Sequence, residues 1–225
     1  MAPNFSPMGS SEAEENGISL DRDEALIFIR QVLHVDLPGD FSSDPDDSDT
    51  LERIAKEFSR RFAFSTLPYL CLPRDRHHLP SAAEVKERDL RMLGGTCYNS
   101  NVFLHFLLKT LGFQIHFVMG KFNRAANQNH VFSVAHTPSG RIYLVDAGSN
   151  PTLLETLVDL NFLGETSIDY EASLWSIRFR KCHPSESDNA FMQVNLELSS
   201  RIKIDQHRNF LNMDAKYVDA PGKRF

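Results

Sequence analysis

The chain has 225 residues, 41% of them hydrophobic, enough to bury a substantial core in one compact unit made of subdomains rather than independent domains. Its net charge of −6 argues against a nucleic-acid or anionic-membrane partner. The three cysteines, Cys71, Cys97 and Cys182, are too few and too widely spaced for a disulfide framework and suit free thiols in a reducing, cytoplasmic compartment. No stretch approaches the ~18 consecutive apolar residues of a membrane span, and residues 1–16 lack the apolar core of a signal peptide.

Residues 1–18, rich in Pro, Ser, Gly and Glu, read as a disordered leader. Order begins at Asp21, where Asp21-x-x-Glu24 makes a capping-box pattern ahead of Ala25, Ile29, Val32 and Leu33 at helical spacing. Residues 38–50 form an acidic, turn-rich connection, and Leu51, Ile54, Ala55, Phe58 and Phe62 then mark a second helix. Ser81-x-x-Glu84 is another capping box and opens a third. His77-His78 has no Cys or carboxylate at ligand spacing and reads as exposed loop, so no metal site is expected.

Leu93-Gly94-Gly95-Thr96-Cys97-Tyr98 puts a cysteine directly after a glycine turn and at the head of a helical pattern made by Val102, Phe103, Phe106, Leu107 and Leu111, with Gly112 as its stop. Orphan N–H groups and the macrodipole favour S⁻ over SH at such a position. Three strand-like runs follow, at 114–119, 130–135 and 141–146; the turn Thr137-Pro138-Ser139-Gly140 makes the last two an antiparallel hairpin. His130 opens one strand of that hairpin and Asp146 closes the other, so both sit at the same end of the sheet. A helix-borne cysteine packed there completes a Cys-His-Asp relay, in which His takes the thiol proton and Asp fixes the imidazole tautomer. Each residue also has a structural reading: Cys97 as a small core residue, His130 as a strand residue, Asp146 as a turn former, Gly94 and Gly95 as a plain tight turn. The three in this order behind two glycines favour the catalytic one. The glycines then also leave room for substrate to approach the sulfur and for a backbone N–H to face an oxyanion. Asn101 reads as a structural hydrogen-bonding residue. Further on, residues 175–181 and 191–198 alternate like strands, and the tail from Asp205 reads as irregular or helical.

Gly94, Gly95, Cys97, Asn101, Leu111-Gly112-Phe113, His130 and Leu144-Val145-Asp146-Ala147-Gly148 follow one another in an order that resembles the arylamine N-acetyltransferases, over residues 50–150. That family carries Arg-Gly-Gly-x-Cys, an Asn four residues later, a His on a strand, and Val-Asp-x-Gly. This chain departs from it at Leu93, which stands for the Arg, and at Pro68-Tyr69-Leu70-Cys71, which stands for Pro-Phe-Glu-Asn. It departs again at Ala147-Gly148-Ser149-Asn150-Pro151, where the family has a glycine-rich loop near the acyl group and CoA.

The resemblance implies an α+β fold related to transglutaminases and papain-like cysteine proteases, with an N-terminal helical lobe followed by an antiparallel sheet or barrel. The expected division is 1–18 leader, 19–112 helical subdomain ending in the Cys97 helix, and 113–225 β-rich subdomain. The implied activity is ping-pong transfer of an acetyl group from acetyl-CoA, through a Cys97 thioester, to an arylamine, arylhydroxylamine or hydrazine. Cys97, His130 and Asp146 form the triad; acetyl-CoA is a co-substrate, with no tightly bound cofactor and no metal. Gly95, Tyr98, Phe132, Gly148 and Ser149 are the expected substrate contacts. Phe103 is a further wall candidate from an aromatic cluster (Phe103, Phe106, Phe113, Phe117, Phe122) that is otherwise core. The family usually runs longer and uses the extra residues over the CoA cleft, so weaker acetyl-CoA binding is expected here. Two alternatives keep the same framework: a cysteine hydrolase or transglutaminase-like enzyme, and a catalytically weak binding protein.

Overall fold

In the computed structural model, which describes residues 20–37, 41, 48–120, 130–148, 157–160, 168–172, 175–182, 192–200 and 208–217, a group of helices precedes an antiparallel sheet. The expected leader lies outside the described residues. Helix α1 (Arg22–Ile27) is opened by a complete capping box, with the Asp21 side chain accepting from Glu24 N at 2.7 Å and the Glu24 side chain from Asp21 N at 3.1 Å. It runs on through a π-helical turn (Phe28–Val32) that buries Phe28 and Ile29. Helix α2 (Ser48–Arg61) starts inside the stretch read as a connection, and it buries Leu51, Ile54, Ala55 and Phe58 along one stripe as its spacing requires. After the one-turn α3 (Leu67–Leu70), α4 (Ala82–Leu90) begins with the second capping box, from Ser81 and Glu84.

Helix α5 (Cys97–Leu111) is the central element. It is buried on nearly every side, because Phe103, Leu104, Leu107 and Leu108 face the other helices and the core while Asn101 and His105 face the sheet. Phe103 is fully buried between Phe28 (ring centroids 5.1 Å apart, edge-on) and Phe58 (6.0 Å, stacked). It is therefore a core residue and has no open face with which to wall a pocket. Gly112 ends the helix with φ +101°, and Phe113 N reaches back to Leu108 O at 3.1 Å.

The sheet is antiparallel throughout, in the order β4 (Val158–Asp159), β3 (Ile142–Val145), β2 (His130–His136), β1 (Gln114–Gly120), β8 (Arg208–Tyr217), β7 (Met192–Ser200), β6 (Trp175–Cys182), β5 (Ile168–Ala172). The two runs at 175–181 and 191–198 are strands, paired to each other. The tail, expected to be irregular or helical, is instead a strand over ten of its residues: β8 joins the two halves of the sheet by pairing with β1 at Val118↔Tyr217 and Met119↔Lys216. Its Asn, Asp, Lys and Ala residues are poor strand formers taken alone, and pairing on both sides outweighs that preference. The sheet keeps two edges, β4 and β5, so it is open rather than a barrel. Among the described residues no helix is long and apolar enough to cross a membrane.

Candidate active site

Cys97 is the first residue of α5, after an extended Thr96. The turn before it is fixed from both sides. Gly94 has φ +73°, and a Cβ there would lie 2.3 Å from Ala63 O, so no other residue fits. Gly95 donates to Ala63 O at 3.1 Å and accepts from Ser65 N at 2.8 Å, a short parallel bridge to the segment that leads into α3. Asn99 closes the first turn: its Oδ1 accepts from Thr96 N at 3.2 Å and from the Tyr69 hydroxyl at 3.3 Å. Cys97 is half-buried.

The hairpin forms in the expected register, with Ser133↔Val145 and His136↔Ile142 paired, and it brings His130 and Asp146 together. His130 Nε2 and Asp146 Oδ2 are 2.8 Å apart, and both side chains are buried. The other carboxylate oxygen is also occupied: Asp146 Oδ1 accepts from Asn101 Nδ2 at 2.9 Å and from Gly148 N at 3.0 Å. Asn101 in turn donates to Val131 O at 2.6 Å and accepts from Ala147 N at 2.7 Å. One buried amide from the cysteine helix thus holds the entry to β2 and the exit of β3. Sequence gave Asn101 a structural role without its partner, and its position one turn after Cys97 was the available signal.

Burial opposes a charge on the His130 ring, but the Asp146 carboxylate, through its charge and hydrogen bond, and a hydrogen bond and charge interaction with Cys97 outweigh it, pushing the imidazole up to about 10. His130 therefore holds its proton at neutral pH. Since Nε2 is engaged by Asp146, Nδ1 is the ring nitrogen left for the sulfur.

Gly148 packs directly on the cysteine; a Cβ added there would come within 2.5 Å of Cys97 Cα and 2.7 Å of Asn101 Nδ2. Phe132 is 2% exposed and stacks on the His130 ring at 6.0 Å, beneath the imidazole. Tyr98 is half-buried against the core, and burial raises its hydroxyl above the ordinary phenol range. Ser149 and Phe122 lie outside the described residues. Tyr69, which stands where the resembled family has Phe, is the site neighbour that the sequence did not single out; burial, foremost, raises its phenol, with the nearby Cys97 adding to the effect. His77 and His78 are exposed, as expected of a loop, and His78 Nε2 meets Glu84 at 3.2 Å. Among the described residues no group of three His, Cys, Asp or Glu is placed to hold a metal ion.

A family model described as N-acetyltransferase matches residues 47–165, which include the glycine turn, Cys97, His130 and Asp146. The chain belongs to the arylamine N-acetyltransferase family. The family is a class of acyltransferase enzymes. Solved structures of three members agree in fold. The Nocardia farcinica enzyme superposes with a TM-score of 0.64 at 18% identity, over 93% of this chain and 66% of that one. The Bacillus cereus enzyme, which has a Cys-His-Glu catalytic triad, gives 0.61 at 22% identity, over 89% and 72%. The Mycobacterium abscessus enzyme gives 0.58 at 19%, over 95% and 68%. Each superposition leaves about a third of the longer chain unmatched. Comparison with curated proteins returned no match. The helical lobe followed by an antiparallel sheet is thus the arylamine N-acetyltransferase fold, with the cysteine-protease-like core that the resemblance implied.

Proposed function

We propose that this acyltransferase moves an acetyl group from acetyl-CoA, through a thioester on Cys97, to the nitrogen of an arylamine, arylhydroxylamine or hydrazine. The observation that carries this is the buried His130–Asp146 pair, 2.8 Å apart and tied through Asn101 to the helix whose first residue is Cys97. In the resting site the proton sits on His130. The Cys97 sulfur attacks the thioester carbonyl, and the tetrahedral intermediate collapses by breaking the bond to the CoA sulfur, which leaves with the His130 proton. Acetylation removes the contribution of the cysteine to holding the imidazole protonated, so His130 is free to act as a base. The acceptor nitrogen then attacks the acetyl-Cys carbonyl, His130 takes a proton from that nitrogen, and the Cys97 sulfur departs to restore the resting pair. Asp146 keeps the ring oriented and stabilises its charged form throughout.

The backbone N–H groups of Cys97 and Tyr98, in the first turn of α5, have no intrahelical acceptor and are available to a developing oxyanion. Gly148 and Gly95 flank Cys97 where substrate meets the sulfur and Tyr98 bounds it, whereas Phe132, 2% exposed against the His130 ring, steadies the imidazole rather than touching substrate. No metal or tightly held cofactor takes part in this scheme. The free thiols of Cys71 and Cys97 suit a reducing, cytoplasmic setting. The test is steady-state kinetics with acetyl-CoA and p-anisidine or a hydrazine. Parallel double-reciprocal lines are expected; CoA release independent of amine would make the protein a hydrolase, and no release at all would leave a binding protein.

A further inference from the structure

We infer that His105, outside the catalytic triad, is a positioning residue that locks the cysteine helix onto the sheet and so sets where Cys97 stands relative to His130. This rests on Cys97 being the nucleophile. The nucleophile is carried by α5 while its histidine and carboxylate are carried by β2 and β3, so their mutual geometry depends on how the helix sits on the strands. Cys97, Asn101 and His105 recur every four residues and share one face of α5. Asn101 makes the first tie, to Val131 O and Asp146. His105 makes a second, one turn further on: its Nδ1 shares a hydrogen bond with Ser133 Oγ at 3.1 Å, both groups being almost fully buried.

The row of the sheet that His105 meets is a consequential one. Ser133 pairs with Phe117 on β1 and with Val145 on β3, the residue before Asp146. The His105 ring lies flat on Phe117, with centroids 3.6 Å apart and planes 14° from parallel. The two ties lie on one face of α5, a turn apart, and add to its apolar packing a polar register that fixes its roll and axial position against the strands. The ring is suited to a fixed contact because burial, with the Lys109 and His116 charges, holds it down to about 3, so it stays neutral at physiological pH.

The test compares the wild type with His105→Phe, which keeps a ring on Phe117 but loses the hydrogen bond, Ser133→Ala, which removes the partner, and His105→Asn, which restores a polar atom near the Nδ1 position. Two quantities are read: the rate of iodoacetamide alkylation at Cys97, followed by mass spectrometry with Cys71 as internal reference, and the titration of His130 by NMR. His105→Phe and Ser133→Ala should slow alkylation by about tenfold to a hundredfold, the scale of a misplacement near 1 Å, and move the His130 titration down from about 10 as its contact with Cys97 loosens. His105→Asn should recover part of both. A purely structural role would lower thermal stability and leave both readouts unmoved, which overturns the inference. If His105→Phe does not fold, Ser133→Ala decides on the same criteria. A wild-type Cys97 no more reactive than Cys71 would remove the nucleophile assignment itself, and this inference with it.

Discussion

Replacing Asp146 by Asn should leave the fold in place and remove most turnover, and the hydrogen bonds around the carboxylate say why. Asp146 Oδ1 faces two donors, Asn101 Nδ2 and Gly148 N, while Oδ2 faces His130 Nε2. An Asn side chain satisfies the two donors only by placing its carbonyl oxygen where Oδ1 stands, which turns its NH₂ toward Nε2. Nε2 must then accept, the single imidazole proton moves to Nδ1, and the nitrogen left for the sulfur can no longer take a proton. Flipping the amide sets an NH₂ against two N–H groups in a buried site, which is worse. The equivalent change in a serine-protease triad costs about ten-thousand-fold in kcat, and a loss of that order is expected here. The imidazole also loses the charge that raises it to about 10. In the wild type this raised value stabilises the folded state fully below the ordinary histidine range, and the contribution disappears as pH climbs toward about 10. The Asn variant should lose that slope in its stability curve. CoA release with p-anisidine as acceptor, alongside thermal melts across pH, reads both effects. Turnover within tenfold of the wild type would take Asp146 out of the mechanism.

Two further substitutions probe the packing of the site and of the helical lobe. Gly148→Ala puts a Cβ 2.5 Å from Cys97 Cα, so acetyl transfer should fall by about a hundredfold or more, at a stability cost of about 1–3 kcal/mol; unchanged kcat/KM would mean that the loop sits elsewhere in solution. Asp89 in α4 is fully buried, neither carboxylate oxygen has a hydrogen-bond partner among the described residues, and burial pushes its carboxyl up to about 7. Its protonated form therefore favours folding below the ordinary carboxyl range, and this contribution is lost as pH rises through about 7. Asp89→Asn should raise Tm at mildly alkaline pH and change it little near pH ~4; an equal change at both would refute the assignment.

What the sequence disclosed and what it withheld divide along the range of the interactions. Asp21-x-x-Glu24, Ser81-x-x-Glu84 and Gly112 act within one helical turn, and each forms as its pattern specifies. The hairpin needs only Thr137-Pro138-Ser139-Gly140 and two alternating runs, so the proximity of His130 to Asp146 is legible in the sequence. By contrast, β8 is a strand because β1 and β7 pair with it, not because of its own residues. Phe103 looked like a wall residue because periodicity gives one apolar stripe, whereas α5 is enclosed on nearly every side and its aromatic face belongs to Phe28 and Phe58. The engagement of Asn101 with Asp146 spans 45 residues, that of His105 with Ser133 spans 28, and that of Tyr69 with Asn99 spans 30. No local pattern encodes such partners; they appear only once the helix is laid on the sheet.

The central claim is that Cys97 carries the acetyl group between donor and acceptor, and intact-mass measurement tests it most directly. Incubation with acetyl-CoA alone should give one acetyl adduct, mapped by peptide digestion to Cys97 and absent from a Cys97→Ser variant. Addition of an arylamine or hydrazine should then discharge the adduct in step with formation of the N-acetyl product. An adduct on Cys71 or Cys182, or none at millimolar acetyl-CoA, would contradict the assignment of Cys97. An adduct that decays equally fast with and without amine would contradict transfer.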